Sequence, residues 1–284
     1  MTITTNFSAH PDTVSLPPIG FIGGGNMASA ILGGLIRKGV PATAFEVVEP
    51  FEEARVRLAR DFGIAALAEA GAALSRCELL VWAVKPQMFA EAAQPVRAHA
   101  ARALHLSVAA GIPSDSIARW LGSERIVRAM PNTPALIGQG VTALFARVAA
   151  IDARALVEQV LAPTGQMLWV DRESDLDAVT AMSGSGPAYV FYFIEAMTEA
   201  GIDMGLTPEQ AHQLAVGTFT GASALASGST EPPSVLRERV TSKGGTTYAA
   251  ITSLEGAQVK AKFKDAIRAA QARAKELGEE FGKA

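Results

Sequence analysis

The sequence predicts an α/β protein, with an N-terminal mostly parallel sheet domain followed by an all-helical C-terminal domain. From Ile19 to about Val170, short apolar runs alternate with longer Ala-rich amphipathic stretches, the pattern of strands joined by helical crossovers. After about Asp175 the strand-like runs fade and long helical stretches replace them. The chain has 284 residues, 49% hydrophobic and 19% charged, which is enough apolar material for two buried cores. Residues 1–17 are expected to form a flexible tail, 18–174 the sheet domain and 175–284 the helical domain.

The tail carries Pro11 and Pro17, no Lys or Arg and no long apolar core, so it does not read as a secretory signal. Strands are expected at residues 19–22, 44–48, 79–84, 104–108 and 126–129, with helices between them at 27–38, 52–61 and 114–121. The apolar runs 141–145 and 168–170 are available to close the sheet. Helices are then expected at 188–200, 208–226 and 257–277. Thr207-Pro208-Glu209 supplies an N-cap, a proline at the first helical position and an acid in the first turn. Tyr189, Phe193 and Met197 stand at helical spacing and are expected in the core or at a subunit interface, because a helical domain needs a partner for its apolar faces.

A formal net charge of −3 gives no electrostatic reason to expect nucleic acid or an anionic membrane as partner. No apolar run reaches the roughly 18 residues needed to span a bilayer. Cys77, the single cysteine, excludes an intrachain disulfide and is expected to be a small buried residue. The four histidines, at 10, 99, 105 and 212, lack metal-ligand spacing. A cytoplasmic protein without a metal centre is expected.

The chemistry begins at Ile19-Gly20-Phe21-Ile22-Gly23-Gly24-Gly25-Asn26-Met27-Ala28, an apolar strand that runs into G-x-G-x-x-A. Gly23 permits the tight turn, Gly25 lets the backbone approach a pyrophosphate, and Ala28 lets the helix pack closely on the strand. The free N–H groups and positive dipole end of that helix favour phosphate, so this half is a Rossmann-type dinucleotide-binding domain. Glu49 closes the second strand about 20 residues past the fingerprint, where a carboxylate accepts hydrogen bonds from the ribose hydroxyls of NAD. It repels the 2′-phosphate of NADP, and Pro50 and Phe51 offer no cation, although Arg55 and Arg57 are close in sequence. NADH is therefore expected to serve at least as well as NADPH. Ala83, Val84, Lys85 and Pro86 follow another strand and are expected to face the middle of the cofactor, with Lys85 donating to ribose or phosphate. Val108, Ala109 and Ala110 are small enough for a nicotinamide to sit close.

Further motifs narrow the reading. Met130-Pro131-Asn132-Thr133-Pro134, Ser183-Gly184-Ser185-Gly186-Pro187-Ala188-Tyr189 and Thr241-Ser242-Lys243-Gly244-Gly245-Thr246-Thr247 follow the fingerprint and the Val84-Lys85-Pro86 turn. In this order they resemble the pyrroline-5-carboxylate reductases, from Ile19 to the end of the chain. The resemblance implies NADH- or NADPH-dependent reduction of 1-pyrroline-5-carboxylate to L-proline. It assigns Gly23, Gly25, Asn26, Met27, Ala83, Val84, Lys85 and Pro86 to the cofactor, with Val108–Ala110 along the nicotinamide. It assigns the loop of Ser242, Gly245, Thr246 and Thr247 to the substrate's carboxylate and ring nitrogen, and Glu173 to the substrate's border. It further implies a homodimer through the C-terminal helices, larger rings of such dimers, and an active site between the nucleotide domain and the dimer's helical domain. Two departures stand out: Glu49-Pro50-Phe51 replaces residues suited to a 2′-phosphate, and Lys243 replaces a proline.

The substrate would be a five-membered ring with a C=N bond and a carboxylate. Thr247 can donate and accept at the ring nitrogen, which makes it first a positioning group. Gly245–Thr247, if it opens a helix, offers N–H donors to the carboxylate. Another imine-acid or β-hydroxyacid dehydrogenase would need a catalytic Lys or Asp on a helix in place of the Thr246-Thr247 loop. A non-catalytic NAD(P)-sensing protein would bind cofactor without turnover.

Overall fold

The computed structural model describes residues 16–100 and 102–282. Strands β1 (Ile19–Ile22), β2 (Phe45–Val48), β3 (Leu79–Trp82), β4 (Leu104–Ser107), β5 (Ile126–Met130), β6 (Gly140–Ala146) and β7 (Gly165–Trp169) form one sheet in the order β2-β1-β3-β4-β5-β6-β7. Pairing is parallel from β2 through β5, antiparallel between β5 and β6, and parallel again to β7. Every residue of β1, β3 and β4 is buried; β3 accordingly reads as an unbroken apolar run, whereas β4 buries His105 and Ser107 in alternation with its leucines. The expected α/β class with a helical C-terminal region is the architecture found, and the runs at 141–145 and 168–170 do close the sheet.

The crossovers are α1 (Asn26–Arg37), α2 (Glu52–Phe62), α3 (Phe89–Arg97) and α4 (Ser114–Leu121), followed by α5 (Arg154–Leu161) and α6 (Asp175–Val179). The helical region holds α7 (Gly186–Asp203), α8 (Pro208–Ser227), α9 (Pro233–Arg239), α10 (Thr246–Gly256) and α11 (Val259–Gly282). Two expected strands end early, β3 at Trp82 and β4 at Ser107, although Ala83 N and Val108 N still donate to the carbonyls of Ile22 and Trp82. The last helix begins at Val259 rather than 257, since Gln258 takes a φ of 56° and breaks it from α10.

Contacts divide the chain into two units, residues 181–273 and the remainder, with residues 274–282 belonging to the first unit. Of the expected tail, residues 1–15 lie outside the described residues, whereas Leu16 packs against the sheet core and the Pro18 carbonyl accepts from Glu78 N at 3.0 Å.

The first unit has a core on each face of its sheet. Ile19, Phe21, Ile31, Leu35 and Leu79 share one, while Ile22, Leu80, Trp82, Phe89 and Ile117 share the other. Cys77 is buried in the second, where burial, aided by Glu46, pushes its thiol up to about 11. Trp82 stacks on Phe89 at 4.6 Å and donates through Nε1 to His105 Nδ1 at 3.1 Å. Phe281 packs against the same core, and the Gly282 carbonyl accepts from Ser116 Oγ and Arg119 Nη2, each at 2.9 Å.

In the second unit α7 and α8 pack closely, because Gly201 leaves no Cβ to meet that of Ala211, only 2.8 Å from the place one would take. Thr207 and Gln210 close a capping box at the start of α8. Tyr189 and Phe193 pack edge-to-face on Phe263. Phe191, Tyr192 and Leu225 nevertheless remain 64%, 67% and 75% exposed. An apolar surface of this kind marks an association site.

The buried His105 yields a pH prediction. Burial pushes its imidazole down to about 4, with the Ala100 carbonyl pulling the other way. Its folded value lies below the unfolded one of about 6.5, so the stability it contributes is complete above that value and is lost as pH falls from there towards 4. Between pH 6.5 and 5, His105→Asn should reduce the acid loss of unfolding free energy by about 2 kcal/mol, measured by denaturant titration. Parallel curves for the two proteins would contradict this.

Candidate active site

Because β1 to β4 run parallel, their carboxyl ends bring four predicted groups to one sheet edge: Gly23–Met27, Glu49, Ala83–Pro86 and Val108–Ala110. β1 lies between β2 and β3, so the strand order reverses beside it, and ligands of open α/β sheets bind in the crevice at such a reversal. Gly23 has φ +95°, and a Cβ there would stand 2.6 Å from the Ala83 carbonyl oxygen. Gly24 is confined too, since its Cβ would meet Leu58 at 2.5 Å. At Gly25 a Cβ would meet nothing within 4 Å. Gly25 caps α1 without any side-chain hydrogen bond, Asn26 is exposed and Met27 half-buried. This is an open helix start of the kind that accepts phosphate, and it fits a dinucleotide.

Glu49 is only 5% exposed and already engaged. Its Oε2 accepts from Gly24 N at 2.7 Å and its Oε1 from Phe51 N at 2.9 Å, so the carboxylate ties the glycine loop to the end of β2. Arg55 folds back on the same corner, donating to the carbonyls of Glu49 at 3.0 Å and Pro50 at 2.7 Å. Glu52 and Glu53 occupy the first turn of α2. Ala83 N donates to the Ile22 carbonyl at 2.8 Å, and exposed Lys85 precedes a short 3-10 turn, Pro86–Met88. On the neighbouring edge Val108 and Ala110 are half-buried and Ala109 is buried.

In the second unit the Ser242–Thr247 loop does open a helix. Gly244 has φ +75°, Gly245 N donates to the Ser242 carbonyl at 3.0 Å, and Gly245 caps α10 without a side-chain bond. A Cβ at Gly245 would stand 2.7 Å from Ser242 Oγ. Thr246 is exposed, and Thr247, one residue further into the helix, is half-buried. Lys243 is exposed and leaves the turn intact.

Glu173 sits differently. Its Oε1 accepts from Ser114 N at 2.6 Å and Arg128 Nη1 at 2.7 Å, and its Oε2 accepts from Ser114 Oγ at 2.6 Å. Neither Ser114 nor Arg128 stood out as functional in the sequence, although an arginine inside the apolar run Ile126–Met130 is itself a signal that a buried partner exists.

Comparisons with known proteins cover both units. Residues 173–277 match the family model described as pyrroline-5-carboxylate reductase dimerisation, and residues 18–111 match that of the coenzyme F420-dependent NADP oxidoreductases. A pyrroline-5-carboxylate reductase of Pseudomonas aeruginosa is 42% identical over 95% of this chain and 100% of its own length. The structure of a pyrroline-5-carboxylate reductase from Coxiella burnetii superposes with a TM-score of 0.86 at 36% identity, covering 93% of this chain and 99% of that one. The Plasmodium falciparum pyrroline carboxylate reductase with NADP bound gives 0.82 at 27% identity, over 92% and 98%.

Two glycines of the fingerprint should separate fold from ligand. Gly23→Ala should cost on the order of 2 kcal/mol or more of unfolding free energy, from a left-handed backbone and a backbone clash. Gly25→Ala, which meets no clash and only weakens an N-cap, should cost no more than about 1 kcal/mol. Equal losses in thermal denaturation would refute the distinction.

Proposed function

The chain belongs to the pyrroline-5-carboxylate reductase family, and we propose that it reduces 1-pyrroline-5-carboxylate to L-proline with NAD(P)H. The observation that carries this reading is the end-to-end match at 42% identity, which takes in both glycine-opened helix starts. When bound, the reduced nicotinamide supplies a hydride from its C4 to the imine carbon. The N–H groups at Gly25, Asn26 and Met27 hold the pyrophosphate, Ala83–Pro86 line the middle of the cofactor, and Val108–Ala110 receive the nicotinamide. The N–H groups at Gly245, Thr246 and Thr247, with Ser242 shaping their turn, hold the substrate carboxylate without an arginine. The Thr247 hydroxyl orients the ring nitrogen, and most of the rate comes from holding the reacting carbons in contact.

Glu49 disfavours a 2′-phosphate, as do Glu52 and Glu53 beside it, so NADH serves at least as well as NADPH. Homo-oligomerisation follows from the dimerisation domain, and the exposed Phe191, Tyr192 and Leu225 support a homodimer through the helical unit, from which larger rings are built. The protein acts in the cytoplasm. Among the described residues no helix is long and apolar enough to cross a membrane.

In steady-state assays of nicotinamide oxidation with 1-pyrroline-5-carboxylate, the NADH rate should equal or exceed the NADPH rate. Thr247→Ala should lower kcat/KM for the imine acid about tenfold or more while leaving the Kd for NADH unchanged. A strong NADPH preference would remove the Glu49 argument, and wild-type kinetics in the variant would remove the role of Thr247.

A further inference from the structure

We propose that Glu173 is a positioning residue that fixes the loop 108–113 from behind and does not meet the substrate; the assignment rests on the reductase reading, which puts the nicotinamide against Val108–Ala110. Both carboxylate oxygens are engaged. Ser114 donates its backbone N–H and its hydroxyl, each at 2.6 Å, and Arg128 donates at 2.7 Å. Arg147 adds a bond to Ser114 Oγ at 3.1 Å and is itself paired with Asp115 and Glu124. Ser114 is the first residue of α4, and Pro113 before it brings no side-chain cap, so Glu173 provides the acceptor and the negative charge that this helix start lacks. Arg128 on β5 is 8% exposed, and a cation so sheltered requires a fixed counter-charge. Asp177 lies in the same field: burial and Glu173 raise its carboxyl, against Arg128 and Lys275. The charge of Glu173 is thus committed to the protein.

What Glu173 holds is the far end of the nicotinamide-side loop. That loop starts where Val108 N donates to the Trp82 carbonyl at 3.1 Å. Its middle, at Gly111 with φ +77°, lies under the last turns of the chain, where a Cβ on Gly278 would stand 3.1 Å from the Gly111 carbonyl oxygen. Its end is Ser114. A backbone hydrogen bond secures the first point and close packing the second, whereas at the third the Glu173 side chain holds the N–H and hydroxyl of Ser114. Loosening it shifts Val108–Ala110 without altering any group assigned to the substrate, so the expected cost falls on turnover rather than on binding.

Glu173→Gln keeps one acceptor but removes the charge facing Arg128 and forces the Ser114 hydroxyl to accept where it donated, and Ser114→Ala removes only the hydroxyl. In Glu173→Gln, kcat should fall about tenfold while KM for the imine acid and Kd for NADH stay within about twofold. Ser114→Ala should show a smaller fall of the same kind, and the double variant should be no worse than Glu173→Gln, because both changes act through one contact. A raised KM for the imine acid with kcat preserved would put the carboxylate at the substrate and overturn the proposal. So would additive losses, or a lowered Tm with unchanged kinetics. The wild-type rate, measured alongside, reports on the reductase reading separately.

Discussion

The close approach of β1 and β3 at their carboxyl ends is the constraint on which the nucleotide half depends. The Gly23 Cα and the Ala83 carbonyl are near enough that a methyl group at Gly23 would stand 2.6 Å from that oxygen. This approach sends the chain sharply upward out of β1, and it leaves Gly25 as the unobstructed cap of α1. Around it the loop is fastened by Gly23 N to the Val48 carbonyl and by Gly24 N to the Glu49 carboxylate. The glycine loop is therefore fastened by the protein's own groups, and donors held in place in this way need no rearrangement when charge is bound.

The same physical device recurs in the helical unit with different surroundings. Gly244 takes the left-handed turn, and Gly245 caps α10 without a side chain to accept from the helix's first N–H groups. Backbone donors bind an anion without adding a buried positive charge, which suits the proposed role of this loop beside a substrate whose own nitrogen must carry one. The proposed function thus assigns its two anions, a pyrophosphate and a carboxylate, to the same element in two copies, each opened by glycine.

Much of this was legible in the sequence because burial on both faces writes parallel strands as plain apolar runs. The fingerprint could be read for a related reason, since a left-handed turn against a backbone carbonyl admits little besides glycine. Helix α4 was bounded correctly at Ser114 and Leu121 by its own periodicity. Helix α3 escaped because Pro95 interrupts its pattern, although six residues of the helix precede that proline and hold their place by burying Phe89 and Ala93. Helix α9 is masked by Pro232 and Pro233, and α10 by its glycine and threonine start. Partners far apart in the chain are closed to local reading altogether. Nothing near Ser114 announces that a carboxylate 59 residues later will cap it, and although the fingerprint's spacing points to Glu49, it does not show that this carboxylate also accepts from Gly24 N, 25 residues before it.

The most direct test of the central claim follows the hydride itself. Enzyme supplied with NADH carrying deuterium at C4 and with 1-pyrroline-5-carboxylate should yield proline with one deuterium on the carbon that was doubly bonded to nitrogen, read by mass spectrometry and NMR. Proline free of deuterium from both C4-labelled forms of NADH, or labelled at the carbon bearing the carboxylate, would contradict the account.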